Sequence, residues 1–161
     1  MIRCKTAVLV GCALEIGSII GGANEHQQKA LYKFGEQLGL AFQMQDDYLD
    51  SFGKESELGK KIGGDIIENK KTYLYCKALE LADKKQANQL CHLYTINPND
   101  PSHKIETTKK IYRESGAADA CVKEIKTYSD LAFQELEKSG ITRGQYHLLK
   151  NIGNQLITRV S

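Results

Sequence analysis

The chain has 161 residues, a length that suits one ordinary hydrophobic core, so we expect a single domain spanning residues 1–161. Its 22 basic and 20 acidic residues nearly balance, and the formal net charge of +2 gives no general electrostatic case for binding nucleic acid or an anionic membrane. Any function based on charge must therefore be local. The five cysteines include no CxxC pair, and we expect reduced core thiols in a cytoplasmic protein.

The hydrophobic spacing predicts helices from the start of the chain. Apolar residues three and four positions apart run from Val8 to Ile20, and the pattern ends at the Gly21-Gly22 pair. The same spacing predicts a second helix from about residue 24 to residue 50. An exposed loop is expected over residues 51–64, which contain four glycines and several charged side chains.

The rest of the chain continues the helical pattern. A third helix is predicted from about residue 66 to residue 91, and shorter helices near residues 105–114, 117–137 and 143–160. The sequence shows neither alternating strand patterns nor an uninterrupted apolar segment of about 20 residues, the length that spans a membrane. The expected architecture is an all-α helical bundle without a membrane span.

Three aspartates and a glutamine cluster at the end of the second predicted helix, in the segment FQMQDDYLD. Successive helical residues turn by about 100°, so Asp46 and Asp50 lie on one face and Asp47 lies about 60° from Asp50. Gln43 precedes Asp46 by three positions. One face of the helix therefore carries three carboxylates and an amide.

A solvated acidic surface is the simplest interpretation of such a cluster. However, the last turn of a helix has a negative dipole, and acids placed there repel both the dipole and one another. A divalent cation would convert that repulsion into attraction. Carboxylates without a neighbouring histidine or cysteine suit Mg²⁺, which usually keeps several waters and binds substrate phosphate oxygens. The segment therefore predicts a magnesium site.

Basic residues and glycines follow the aspartates. If magnesium holds a phosphate group, positive donors should lie nearby, and glycines let the backbone approach a bulky anion. Taken one at a time, each lysine is more often an ordinary surface residue. The combination with the aspartates is far more specific, and it comprises Lys60, Lys61, Lys70, Lys71, Gly59, Gly63 and Gly64.

The segment GLAFQMQDDYLD, followed by GKKIGGDIIENKKTYL, closely resembles the second aspartate-rich region of trans-isoprenyl diphosphate synthases. This family makes farnesyl, geranylgeranyl and longer polyprenyl diphosphates. Upstream, KTAVLVGCALEIGSIIGGA is similar to the family's Lys-Thr helix, and YRESGAADACVKEIKTYSDLAFQEL is similar to its carboxy-terminal helices. The resemblance covers essentially the whole chain and implies a helical bundle of the terpenoid synthase type.

The resemblance implies roles for particular residues. Asp46 would be a direct Mg²⁺ ligand, with Asp47 and Asp50 as the other members of the metal motif. Thr6 and Gln43 would line the region where an allylic cation develops. The residues implied to bind the allylic diphosphate are Lys5, Lys70 and either Lys61 or Lys60. Lys61 is favoured because it lies four positions before Asp65, as in some members, although other members place the lysine directly after glycine, as Lys60 is.

The implied activity is that of a prenyltransferase, which condenses isopentenyl diphosphate with an allylic diphosphate. Metal ions and lysines stabilise the diphosphate leaving group, and no covalent enzyme nucleophile is needed. The first aspartate-rich motif of the family is not found here, so we expect the carboxy-terminal half of a synthase, truncated before Met1. Missing helices would expose apolar residues such as Val8, Ile16 and Ile20, so we also expect a homodimer or association through exposed helices.

Two alternative functions stay open at this point. The chain could be a non-catalytic subunit of a heteromeric prenyl synthase, contributing part of a site to a partner. It could instead be a helical interaction module whose acids are solvated. A terpene cyclase on the same fold is disfavoured by the Gln-Asp-Asp pattern and the lysines that follow it.

Overall fold

The computed structural model describes residues 2–54 and 62–157, and this part of the chain contains helices and no strand, as predicted. A π-helical turn, Arg3–Ala7, leads directly into α1, Val8–Ile20, and α2 spans Glu25–Phe52. The later helices are α3 Gly64–Ile67, α4 Tyr73–Leu81, α5 Lys84–Leu93, α6 Ser102–Glu114, α7 Ala117–Lys138 and α8 Arg143–Ile157.

The prediction of one continuous third helix is wrong, because the chain breaks there into α3, α4 and α5. Asn69 adopts a left-handed φ of 56°, and Ala82 is extended with a ψ of 152°, so the helix cannot continue through either residue. Asp83 then caps the start of α5, and its side chain accepts a hydrogen bond from Gln86 N at 2.8 Å. The apolar periodicity persists across these breaks because all three helices pack against α6.

The described residues form two compact units, each of which is described separately. The first contains the described residues of Met1–Gln45 and Glu124–Ser161. Leu31, Phe34 and Leu38 of α2 pack there with Ala132 and Leu136 of α7 to form its buried core. The expectation of a single domain stays a prediction.

Glycines allow α1 and the preceding π turn to approach α2 at backbone distance. A Cβ atom added at Gly39 would lie 2.7 Å from the Cα of Ala7, and one at Gly11 would lie 2.9 Å from Tyr32 O. Gly35 meets α1 in the same way. Side-chain carbons are not found this close to backbone atoms, so these positions require glycine.

The second unit contains the described residues of Asp46–Lys123. Helix α6 lies at its centre and contacts α3, α4 and α5. Leu74 and Leu90 are fully buried in this unit, and the hydroxyl oxygens of Tyr94 and Tyr112 are joined by a 2.6 Å hydrogen bond. Burial raises the pKa of both tyrosines above the ordinary value. The unit therefore combines an apolar core with a buried polar pair.

Helix α1 exposes an apolar face. Ile16 and Ile20 are 57% and 81% exposed, as expected, whereas Val8 is half-buried. The cysteines are free, but the expectation of core thiols is wrong for Cys4, Cys76 and Cys91, which are exposed; Cys12 is half-buried and Cys121 is buried. Within residues 2–54 and 62–157, the helices lack the length or the apolar character that a membrane span needs.

Candidate functional site

The aspartate segment occupies the last turns of α2, where the periodicity placed it. Asp46 is exposed, whereas Asp47 and Asp50 are only 7% and 5% exposed. A buried carboxylate needs hydrogen bonds or a counter-charge, since desolvation of an unpaired charge is unfavourable. Burial of two of the three acids therefore argues against a simple solvated acidic surface.

Asp50 lies against the glycine turn that follows the loop. Its Oδ2 accepts a hydrogen bond from Asp65 N at 2.8 Å, and its carbonyl oxygen accepts one from Gly63 N at 2.6 Å. Gly63 has a φ of 87°, and a Cβ added at Gly64 would lie 3.3 Å from Asp50 Oδ1. The sequence suggested that the glycines let the backbone approach a bound phosphate. In the structure they let it approach an anion of the chain itself, the Asp50 carboxylate. A charged acceptor makes this a comparatively strong contact.

Lys70 extends the same chain of contacts. Its Nζ lies 2.8 Å from Glu68 Oε2 and 2.9 Å from Asp65 Oδ1. The hydrogen bonds to Glu68 and then to Asp65 raise the pKa of Lys70, because they stabilise its charged form. Asp50, Asp65 and Lys70 therefore form one connected group of charges. Lys60 and Lys61 lie outside the described residues, and the choice between them stays open.

The candidate residues of the first unit lie on the π turn and on α2. Thr6 Oγ1 donates a hydrogen bond to Gln43 Oε1 at 2.7 Å, which orients the buried Gln43 amide. Lys5 is exposed on the same π turn. A small cavity of about 180 Å³ adjoins Thr6, and its lining is otherwise Val10, Leu38, Gly39, Phe42 and Leu156. The structure therefore pairs Thr6 with Gln43 beside an apolar space.

The three aspartates suit a Mg²⁺ ion that takes only part of its coordination shell from the protein. Among residues 2–54 and 62–157, no three His, Cys, Asp or Glu side chains are arranged to hold a metal ion, so they form no closed protein cage. Mg²⁺ seldom uses such cages, because it usually takes one or two carboxylates, keeps waters and binds substrate phosphates. Exposed Asp46 beside buried Asp47 and Asp50 suits that mode. The donor set is compatible with a Mg²⁺ ion whose shell a phosphate ligand completes.

Comparison with known proteins identifies the family. The sequence profile described as "Polyprenyl synthetase" matches residues 1–114. The chain belongs to the polyprenyl synthetase family. This confirms the resemblance first seen in the aspartate and Lys-Thr segments, and the all-α terpenoid synthase fold expected from it.

Individual members of the family match most of this chain but only part of their own length. The geranylgeranyl diphosphate synthase of Saccharolobus solfataricus is 38% identical over 138 residues, which cover 86% of this chain and 41% of that protein. A solved geranylgeranyl pyrophosphate synthase, 41% identical, superposes with a TM-score of 0.89 over 99% of this chain and 50% of its own. The chain therefore spans half or less of the length of these relatives.

A second solved structure carries ligands of the expected chemistry. The geranylgeranyl pyrophosphate synthase of Corynebacterium glutamicum, complexed with isoprenyl diphosphate and magnesium, is 25% identical and has a TM-score of 0.86. The match covers 98% of this chain and 44% of that structure. A geranylgeranyl pyrophosphate synthase with a similar fold is thus found in complex with both an isoprenyl diphosphate and magnesium.

The sequence interpretation missed one residue of the site. In the sequence, Asp65 was used only to choose between Lys60 and Lys61. In the structure it contacts Asp50 through its backbone and Lys70 through its side chain. It lies 15 positions after Asp50, so helical periodicity cannot relate the two. The only local signal was an acid directly after two glycines, which allow a close backbone approach.

Proposed function

We propose that this polyprenyl synthetase chain supplies the allylic diphosphate-binding part of a prenyltransferase, which condenses isopentenyl diphosphate with an allylic diphosphate. The observation that carries the proposal is the connected group of Asp50, Asp65 and Lys70 beside the Gly63-Gly64 turn. Carboxylates that can hold a metal ion and a lysine ammonium that can contact phosphate lie together there, as binding of a metal diphosphate requires. The family match and the diphosphate- and magnesium-bound relative support the same chemistry.

In the second unit, Asp46 with Asp47 and Asp50 would hold Mg²⁺, which when bound supplies positive charge to the departing diphosphate. Lys70 is a second source of positive charge, because a lysine ammonium is protonated near neutral pH. On binding, its ammonium would exchange part of its contact with exposed Glu68 for a phosphate oxygen. Lys61, or Lys60, is proposed as a further diphosphate donor.

In the first unit, Lys5 is proposed as a diphosphate donor, and Thr6 and Gln43 as residues that stabilise the developing allylic cation. Thr6 donates its hydroxyl hydrogen to Gln43, so the Thr6 oxygen retains a lone pair for a positive charge. The neighbouring cavity is lined, apart from Thr6, by apolar residues. Fixed dipoles in an apolar setting stabilise charge strongly, because they need no reorganisation.

The exposed apolar face of α1 favours a second candidate function within the same family, that of a subunit which acts together with another chain. Ile16 and Ile20 present aliphatic surface that a homodimer or another subunit would cover. In that case the chain would contribute a site without turning over substrate alone. We propose association through this helix for either function, with a cytoplasmic location as the accompanying expectation.

Calorimetric titration with inorganic diphosphate in MgCl₂ tests the binding proposal. The parent chain is expected to bind, and Asp46→Ala to bind at least about 10-fold more weakly, because a metal ligand is lost. Asp130→Ala is the matched control, since Asp130 is an exposed helical aspartate of the first unit. A parent chain that does not bind refutes the proposal. Turnover of isopentenyl diphosphate with an allylic diphosphate by this chain alone would distinguish the enzyme from the subunit.

A further inference from the structure

Helix α6 contains a buried lysine that the proposed site does not use. Lys104 is only 1% exposed, which is unusual for a charged side chain. Its Nζ donates hydrogen bonds to Asn69 Oδ1 at 2.6 Å, to Ile96 O at 2.9 Å and to Ile67 O at 3.4 Å. All three acceptors are neutral oxygens, and burial lowers the pKa of Lys104. Such an unfavourable placement points to a role that a surface lysine could not fill.

The acceptors of Lys104 surround a single turn of the backbone. Ile67 ends α3, where a carbonyl has no partner within the helix and a positive charge is favourable. Asn69 has a φ of 56°, a left-handed conformation that is unfavourable for a residue with a Cβ atom. Its side chain is held at both ends, because Oδ1 accepts from Lys104 and Nδ2 donates to Asn97 Oδ1 at 2.8 Å. Lys104 thus helps to keep the turn in this conformation.

The Asn69 turn is connected directly to the candidate site. Lys70 is the next residue, and both its backbone N and its Nζ donate to Asp65, to O and Oδ1 respectively, each at 2.9 Å. Asp65 N in turn donates to Asp50 Oδ2 at 2.8 Å. A rotation of the Asn69 backbone would therefore move Lys70 and loosen Asp65 from Asp50.

We propose that Lys104 is a positioning residue for the diphosphate site, which fixes the Asn69 turn and thereby orients Lys70 and Asp65 relative to Asp50. Its three hydrogen bonds all go to the protein, so it acts through the turn and not through contact with the ligand. The inference deepens the proposed function and rests on it for the ligand. The positioning itself can be measured without any ligand.

The test compares Lys104→Met with Lys110→Met, which removes an exposed lysine from the same helix. Amide hydrogen exchange by NMR reports the turn, and calorimetry with inorganic diphosphate in MgCl₂ reports the site. In Lys104→Met, the Asp65 and Lys70 amides are expected to exchange about 10-fold faster. Diphosphate affinity is expected to fall by about 10- to 100-fold, which is the usual loss when a residue that orients metal ligands is substituted. Lys110→Met is expected to change neither measurement.

A glycine at position 69 provides the rescue. Glycine adopts the left-handed conformation without a side-chain lock, so in an Asn69→Gly background Lys104→Met is expected to alter diphosphate affinity by less than about three-fold. Where Lys104→Met fails to fold, Asn69→Ala and Asn69→Gly carry the test instead. Asn69→Ala is expected to speed exchange at Asp65 and Lys70, and Asn69→Gly to preserve protection there.

The outcomes separate this inference from the proposed function. Unchanged exchange at Asp65 and Lys70 in Lys104→Met, or equal exchange in the two Asn69 variants, overturns the positioning role. Faster exchange throughout the second unit, with no preference for the turn, also overturns it, since Lys104 would then be merely structural. A parent chain that binds no inorganic diphosphate refutes the proposed function and leaves the exchange test valid.

Discussion

The substitution Gly39→Ala tests how closely α2 must pack against the π turn that contains Ala7. The added Cβ would lie 2.7 Å from the Cα of Ala7, whereas ordinary contacts begin at 3.4 Å, so the backbones must separate by about 0.7 Å. The same movement would lengthen the 2.7 Å hydrogen bond between Thr6 and Gln43 past the range of about 2.5 to 3.0 Å that is usual for a hydroxyl donor, and would weaken it. Overpacking of this kind costs about 1 to 3 kcal/mol, partly offset by about 1 kcal/mol for the better helix propensity of alanine.

Gly17→Ala is the matched control, because a Cβ at Gly17 of α1 meets nothing within 4 Å. Urea unfolding followed by circular dichroism gives the free energy of unfolding of each variant. Gly17→Ala is expected to raise it by up to about 1 kcal/mol through helix propensity, whereas Gly39→Ala lowers it by up to about 2 kcal/mol. Equal stabilisation by both substitutions would refute the close-packing argument.

Two further predictions concern the buried tyrosines and the exposed face of α1. Tyr94 and Tyr112 have raised pKa values, so their neutral forms stabilise the fold fully below the ordinary pKa of 10.0, and this stability is lost as the pH rises above it. Urea unfolding at pH 8 and pH 11 should show a loss of roughly 1 kcal/mol per tyrosine, and Tyr94→Phe with Tyr112→Phe should flatten this dependence; a flat profile in the parent would contradict it. Ile16→Lys with Ile20→Lys is expected to lower the apparent mass in light scattering by removing exposed apolar surface, and a parent that is already monomeric would contradict the expected association.

The features predicted well from sequence are those that depend on neighbours in the chain. Apolar spacing locates α1, α2 and α7 to within a few residues, and the aspartates of α2 lie on the predicted turns. The breaks at Asn69 and Ala82 are hidden because the helices on either side pack against the same α6. The apolar spacing indicates which residues are buried, and buried residues continue across both breaks although the helix does not.

Contacts across many positions could not be predicted. The hydrogen bond from Asp65 to Asp50 joins a loop to a helix end, and no periodic pattern relates these positions. Lys104 reads in sequence as one of several solvated lysines of an amphipathic helix, although it is buried with three acceptors. Its environment is set by Asn69 and Ile96, which reach it only through the tertiary fold.

The π turn at Arg3–Ala7 affects how an insertion or deletion of one residue at this point of the chain should be interpreted. The N–H of Val8 bonds to Arg3 O, five positions earlier, so the turn contains one residue more than an α-helical turn would. Deleting one residue there would restore α-helical spacing and rotate every preceding side chain by about 100° around the axis. When related sequences are aligned, an insertion or deletion here is therefore a change of helical face for Lys5 as much as a change of length.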